Sequence, residues 1–150
     1  MSGKKKKKLP PPVLLSAIVC DRVIIDSLTG MPSIIGVLQT VSAVKYPARH
    51  ARLAFFCELT NGHGKAKITT RLVDVQQGDQ TVLEQTVEGE FINVKQVVAL
   101  QFGFEGIIFP HPGEYRFQIY DGTNLLGERR IICRQIQLVR GGQSNESTNE

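Results

Sequence analysis

Short runs of β-branched and aromatic residues, each closed within a few positions by Gly, Pro, Asn or Asp, recur from Val13 to Cys133, and this spacing leaves little room for any fold except an all-β one. No stretch keeps a 3.6-residue apolar period long enough for an ordinary helix. Leu53, Phe55, Cys57 and Leu59 share one parity, as do Ala66, Ile68, Thr70 and Leu72, and then Tyr115, Phe117 and Ile119, which is the two-residue alternation of a strand with one dry face. About eight strands joined by short turns must bury one face of each sheet. Two facing antiparallel sheets, an immunoglobulin-like sandwich, are the simplest solution. The paired cysteines around a tryptophan that mark true immunoglobulin domains are missing, since the chain has no Trp; a closed barrel is the competing architecture.

Within this frame the sequence divides into a lysine/proline segment at 1–12, a β-domain at 13–140 and a polar segment at 141–150, both end segments expected to be disordered. Ser33–Val44, apolar on both parities, reads as one central strand covered on both sides, with Gly36 marking a bulge or a close backbone contact. Lys45–Arg52, around Pro47, reads as a crossing loop. Asn61-Gly62-His63-Gly64 and Asp121-Gly122-Thr123-Asn124 reverse the chain, and Pro110-His111-Pro112-Gly113 is a rigid corner. The expected core comprises Ile35, Val37, Phe55, Leu72, Phe102, Tyr115, Phe117 and Ile131.

The net charge of +4 is concentrated at one place. Lys4–Lys8 supply five of the 18 basic residues, and Glu146 and Glu150 two of the 14 acidic ones, which leaves residues 9–140 at about +1. The domain itself carries no broad basic field of the kind that dominates nucleic-acid affinity. Attraction to phosphate or anionic lipid is therefore expected chiefly from Lys4, Lys5, Lys6, Lys7 and Lys8, with Lys45, Arg49 and Arg52 as further candidate anion contacts and Tyr46 among them as a stacking surface.

Cys20, Cys57 and Cys133 each lie in an apolar run, and an odd, widely spaced set is neither a disulfide framework nor a zinc pattern. Three buried thiols in a reducing compartment follow, with a Cys57–Cys133 bridge across the sheets as the alternative. Lysines followed by Val13–Cys20 imitate a secretion signal, but the apolar run is short, three prolines stand between it and the lysines, and Val19 is branched where processing wants a small residue. A cytoplasmic location is expected.

Three stretches, Leu15-Ser16-Ala17-Ile18-Val19-Cys20-Asp21 with Ser33-Ile34-Ile35-Gly36-Val37, then Tyr46-Pro47, and Phe109-Pro110-His111-Pro112-Gly113-Glu114-Tyr115-Arg116-Phe117, together resemble an uncharacterised family of small bacterial β-sandwich proteins, a domain of unknown function. The resemblance covers most of residues 13–133. It implies a fold and a bacterial cytosolic setting, and it carries over no active site.

Chemistry-bearing residues are sparse. His50, His63 and His111 have no spacing that would set two metal ligands on one face, so no metal, no cofactor and no catalytic residue is expected. Cys20 beside Asp21 is a poor nucleophile, because an adjacent carboxylate raises a thiol pKa and a strand sends the two side chains to opposite faces. Glu84, Glu88 and Glu90 share strand parity and read as a wet, charged face that deters edge-to-edge pairing. The glycines at 62–64 and 103–106 lack the strand-to-helix context of a phosphate cradle. The expected function is that of a non-enzymatic module binding a protein partner or itself. The alternatives are a ligand binder or enzyme with a pocket built by the Lys45–Arg52 and Asn61–Lys65 loops, and a polyanion-associated accessory protein tethered by its lysines.

Overall fold

A computed structural model describes residues 9–138. Nine strands occur among them: β1 (Val13–Ile25), β2 (Pro32–Val37), β3 (Thr40–Ala43), β4 (Ala48–Thr60), β5 (Gly64–Asp74), β6 (Gln80–Phe91), β7 (Val98–Phe109), β8 (Gly113–Asp121) and β9 (Asn124–Gln135), with one 3-10 turn at Val75–Gln77. They form a four-stranded sheet in the order β2-β1-β4-β7 and a five-stranded sheet in the order β3-β9-β8-β5-β6. The expected disordered segments fall mostly on residues 1–8 and 139–150, which lie outside the described ones. Residues 9–12 carry no regular structure, and Pro12 is buried.

The all-β class and the two sheets are as expected, but uniform antiparallel pairing is not. β3 runs parallel to β9, with Val41 opposite Cys133, while the other ladders are antiparallel. The parallel pair arises because Ser33–Val44 is not one central strand. It is two edge strands in different sheets, which is also why there are nine strands rather than eight. The chain changes sheet across a single dipeptide: the Leu38 amide donates to the Val19 carbonyl at 2.7 Å, and the Gln39 carbonyl accepts from the Ile132 amide at 3.2 Å. Gly36, with φ of +69°, allows the close approach of β2 to β1, since a side chain there would press on Asp21 Cβ.

Between the sheets lies an aromatic core. Phe55 stacks on Phe117 with ring centroids 4.9 Å apart, Phe104 stacks on the same ring, and Phe109 meets Tyr115 edge-on at 5.1 Å, the geometries that aromatic quadrupoles favour. Phe55, Leu72, Phe102, Tyr115, Phe117 and Ile131 are fully buried, as the strand parities require. Ile35 and Val37, expected in the core, are instead 37% and 56% exposed, because β2 is an edge strand with no sheet covering it. The crossing loop expected at Lys45–Arg52 is shorter than its composition suggests: only the segment up to the cis Tyr46–Pro47 peptide is irregular, and β4 has begun by Ala48. Asn61–His63 carries the chain from one sheet to the other, and Gly62 is required there because a Cβ would enter the Phe91 ring.

Candidate functional site

The second half of β1 leaves β4 at Cys20 and pairs with β2 alone, from Cys20 opposite Val37 to Ile25 opposite Pro32. The resulting hairpin leans over the outer face of the four-stranded sheet. Val23, Ile25, Gly30 and Pro32 share a cleft of about 140 Å³ with Phe56, Ala99, Leu100 and Gln101. Phe56 points away from the main core, as its parity against Phe55 and Cys57 dictates, and yet it is buried; the hairpin is what shelters that side of the sheet.

The turn at the hairpin tip is held by its own hydrogen bonds. Asp26 Oδ1 accepts the amides of Leu28 at 2.8 Å and Thr29 at 3.0 Å, and the Asp26 and Gly30 amides close the turn on Met31 and Asp26 carbonyls. The Thr29 and Leu28 amides keep the Asp26 carboxyl below its ordinary range. Asp26 is the only charged residue between Val23 and Leu38, and its carboxylate is turned into the loop. The hairpin therefore offers solvent an apolar surface, with Leu28 93% exposed at its tip, and an outer edge, β2, without a charged residue.

The opposite edge of the molecule is built otherwise. β6, the outer strand of the five-stranded sheet, bears Glu84, Glu88 and Glu90 on its exposed face, opposite Arg71, Lys67 and Lys65 of β5, with Arg71 Nε 3.0 Å from Glu84. This is the guarded edge expected from the sequence. β2 has no such guard.

Among the candidate anion contacts, Lys4–Lys8 lie outside the described residues, Lys45 is in the loop before Pro47, and Arg49 and Arg52 stand on β4. The guanidinium of Arg49 lies over Gly106. Arg52 donates to Asp21 at 2.9 Å and sits opposite Glu105 in the ladder. Asp21, Arg52 and Glu105 line a groove of about 350 Å³ between the hairpin and the sheet, in which the arginine is already matched by carboxylates. The pocket expected from the Lys45–Arg52 and Asn61–Lys65 loops does not assemble. Residues 45–47 and 61–63 flank opposite ends of the 13-residue β4, on the order of 40 Å of extended strand apart, and residues 48–52 are part of that strand.

One polar cluster was invisible in the sequence. His111, in the corner between β7 and β8, places Nε2 2.6 Å from Oδ2 of the buried Asp74 and Nδ1 2.7 Å from the Pro112 carbonyl. Tyr115 donates to the His111 carbonyl at 2.6 Å and its oxygen accepts the His111 amide at 3.2 Å. Both ring nitrogens face acceptors, so the doubly protonated imidazolium is the form that satisfies them. The Pro112 carbonyl, with Asp74 adding to it against partial burial, holds the His111 pKa above 6.5. Such a histidine is a structural clamp, since neither nitrogen is left to take a proton from a substrate. The two residues are 37 positions apart, and an acidic residue ending a strand was the only hint available.

Cys20, Cys57 and Cys133 are unpaired and buried. Burial pushes the Cys57 and Cys133 thiols up to about 12, and burial, followed by the Asp21 charge, raises that of Cys20. Among the described residues no group of three or more His, Cys, Asp and Glu is placed to hold a metal, and no helix is long and apolar enough to cross a membrane.

No curated protein matches the chain. Among solved structures, a β-glucosidase from Listeria innocua in complex with isofagomine is similar over 85% of this chain and 17% of that one, at 8% identity and a TM-score of 0.41; the chain thus spans about a sixth of that enzyme's length. The strands from Leu15 to Cys133, which contain the hairpin, both sheets and the His111 corner, are the part matched by a family model, and the chain belongs to the family of unknown function DUF6941.

Proposed function

We propose that the chain is a non-enzymatic binding module that engages a protein partner, or a second copy of itself, through the free edge of β2. The observation that carries this reading is the contrast between the two edges: β6 is laced with paired charges, whereas β2 exposes Ile35 and Val37 and presents its main chain without a charged residue. A strand laid beside β2 would gain main-chain hydrogen bonds and cover both side chains, the mode known as β-augmentation. The engaged nitrogens of His111 and the raised thiols support a role other than catalysis.

An immunoglobulin-like reading of the sandwich belongs to the same proposal. The orders β1-β4-β7 and β9-β8-β5-β6 correspond to the A-B-E and G-F-C-C′ runs of that architecture. Three unpaired thiols suit a reducing, cytoplasmic compartment, and a bacterial cytosolic setting goes with the family resemblance.

The test is a photo-crosslinking amino acid placed at position 35 and, as a control on the guarded edge, at position 86, with irradiation in the native cell. A discrete adduct at 35 absent from 86 is expected, and its mass distinguishes a second copy from another protein. No adduct at 35, or the same adducts at both positions, would overturn the reading.

A further inference from the structure

The free edge of β2 is closed at both ends by hydrogen bonds already made. At the hairpin tip the Met31 amide donates to Thr29 Oγ1 at 3.2 Å, and the Met31 carbonyl accepts the Asp26 amide at 2.9 Å. At the other end the Gln39 carbonyl is taken by Ile132 of the five-stranded sheet. Between these stops β2 keeps its register on β1, with Ile34 opposite Val23, Ile35 opposite Arg22 and Val37 opposite Cys20. The Leu38 amide turns inward onto Val19, so strand alternation turns the main-chain groups of Val37, Ile35 and Ser33 outward. Pro32, which has no amide to offer, falls on an inward position. The open edge is thus a window of three residues symmetric about Ile35, with Met31 and Gln39 each four residues from its centre.

We propose that the occupant of this edge is the β2 of a second copy, running antiparallel about a two-fold axis through Ile35. This pairing presupposes the reading of β2 as the binding edge and names its partner. The axis sets Ile35 opposite itself and Ser33 opposite Val37, and each pair exchanges N–H and C=O in both directions, so that all three open residues are satisfied in both copies. Symmetric pairings centred one residue to either side would bring Val37 against Met31, or Ser33 against Gln39, whose groups are engaged elsewhere.

Side-chain size and charge agree with the same register. On the solvent face the small Ser33 meets Val37 of the second copy, and the exposed Ile35 packs on its own counterpart. On the underside, which Ile34 shares with Val23, Ile34 meets Gly36 and no side chain. Asp26 is the only charge between Val23 and Leu38, and its carboxylate is held by the Leu28 and Thr29 amides, so identical strands approach without the like-charge repulsion that opposed residues would otherwise bring. A strand of another protein would have to match the length of the window and both of its exits, whereas an isologous contact matches itself. A ladder of three pairs is small beside the roughly 800 Å² per partner of a standard interface, which makes the dimer concentration-dependent.

The test uses full-length Ile35→Cys, Ser33→Cys and Val37→Cys under mild oxidation, read by non-reducing electrophoresis; the three native thiols are buried. Ile35→Cys should give a covalent dimer, because opposed residues have Cα atoms about 5.5 Å apart, within disulfide reach. Ser33→Cys and Val37→Cys should each stay monomeric alone, their own counterparts being about 14 Å away along the strands, and should give a mixed dimer when combined. Ile35→Lys sets two ammonium groups face to face and should weaken association about tenfold or more in sedimentation, with the dichroism spectrum unchanged. A monomer at every concentration, Val37→Cys bridging to itself as readily as Ile35→Cys, or a dimer that Ile35→Lys leaves intact would each overturn the pairing. Any of these together with a crosslink from position 35 to a different protein would leave β2 as the binding edge with another occupant, whereas no adduct at 35 strikes the edge reading itself.

Discussion

Nε2 of His111 and Oδ2 of Asp74, 2.6 Å apart, tie the corner that enters β8 to the end of β5. The Pro112 carbonyl on the other ring nitrogen makes the protonated ring the bound form, and a histidine whose folded pKa is raised binds its proton more tightly folded than unfolded. Its stabilisation is fully present below about pH 6.5 and is lost as pH rises through the folded value. The thermal midpoint of the wild type minus that of His111→Asn should therefore be largest near pH 5.5 and shrink as pH rises beyond 6.5. Asp74→Asn should cost about 1.5–3 kcal/mol, the range for a hydrogen bond to a charged group, read by urea denaturation at acid pH.

Phe117 stacks with both Phe55 and Phe104 and is fully buried, whereas Ile35 sits on an open edge. Phe117→Ala should cost about 3–5 kcal/mol, and Ile35→Ala less than about 1 kcal/mol. Equal costs in chemical denaturation would contradict the assignment of β2 to the periphery.

The three thiols should all react with a thiol reagent once the protein is unfolded without reductant, giving a count of three. In the native state at about pH 8 labelling should be slow, since thiolate is the reactive form and burial holds Cys57 and Cys133 up to about 12. A count of one would reveal a disulfide.

Gly62→Ala should be destabilising by about 1–3 kcal/mol, the usual penalty of overpacking, because the added methyl enters the Phe91 ring. In a double-mutant cycle with Phe91→Leu the two changes should be clearly non-additive. Additive values would mean that the ring turns aside freely.

The strands that carry the core were legible because alternation reports a sheet with one dry face. β4 from Leu53 to Leu59, β5 and β8 all show it, and six of the eight expected core residues are fully buried. Ser33–Val44 misled for a physical reason: apolar residues on both parities describe a strand covered twice, but equally an uncovered hairpin arm followed by a strand of the other sheet, and the distinction lies in tertiary placement. Lys45–Arg52 misled because Pro47 and the charges suggested a loop, while inward parity switches from Ala48 to Leu53 along β4 where β7 bends at Gly106 with φ of +64°. The His111 clamp joins residues distant in sequence, and neither alone signals the other.

The dipeptide Leu38-Gln39 has a mechanical consequence. Consecutive backbone groups are committed to different sheets, the Leu38 amide to Val19 and the Gln39 carbonyl to Ile132, so the chain there acts as a stitch that sets the offset of one sheet against the other. A residue inserted at this point would throw two ladders out of step at once, whereas one inserted at the exposed Asp121–Asn124 turn would lengthen a single loop. Length variation should be tolerated at the second place and punished at the first, and sliding of the two sheets past each other is blocked without any covalent crosslink.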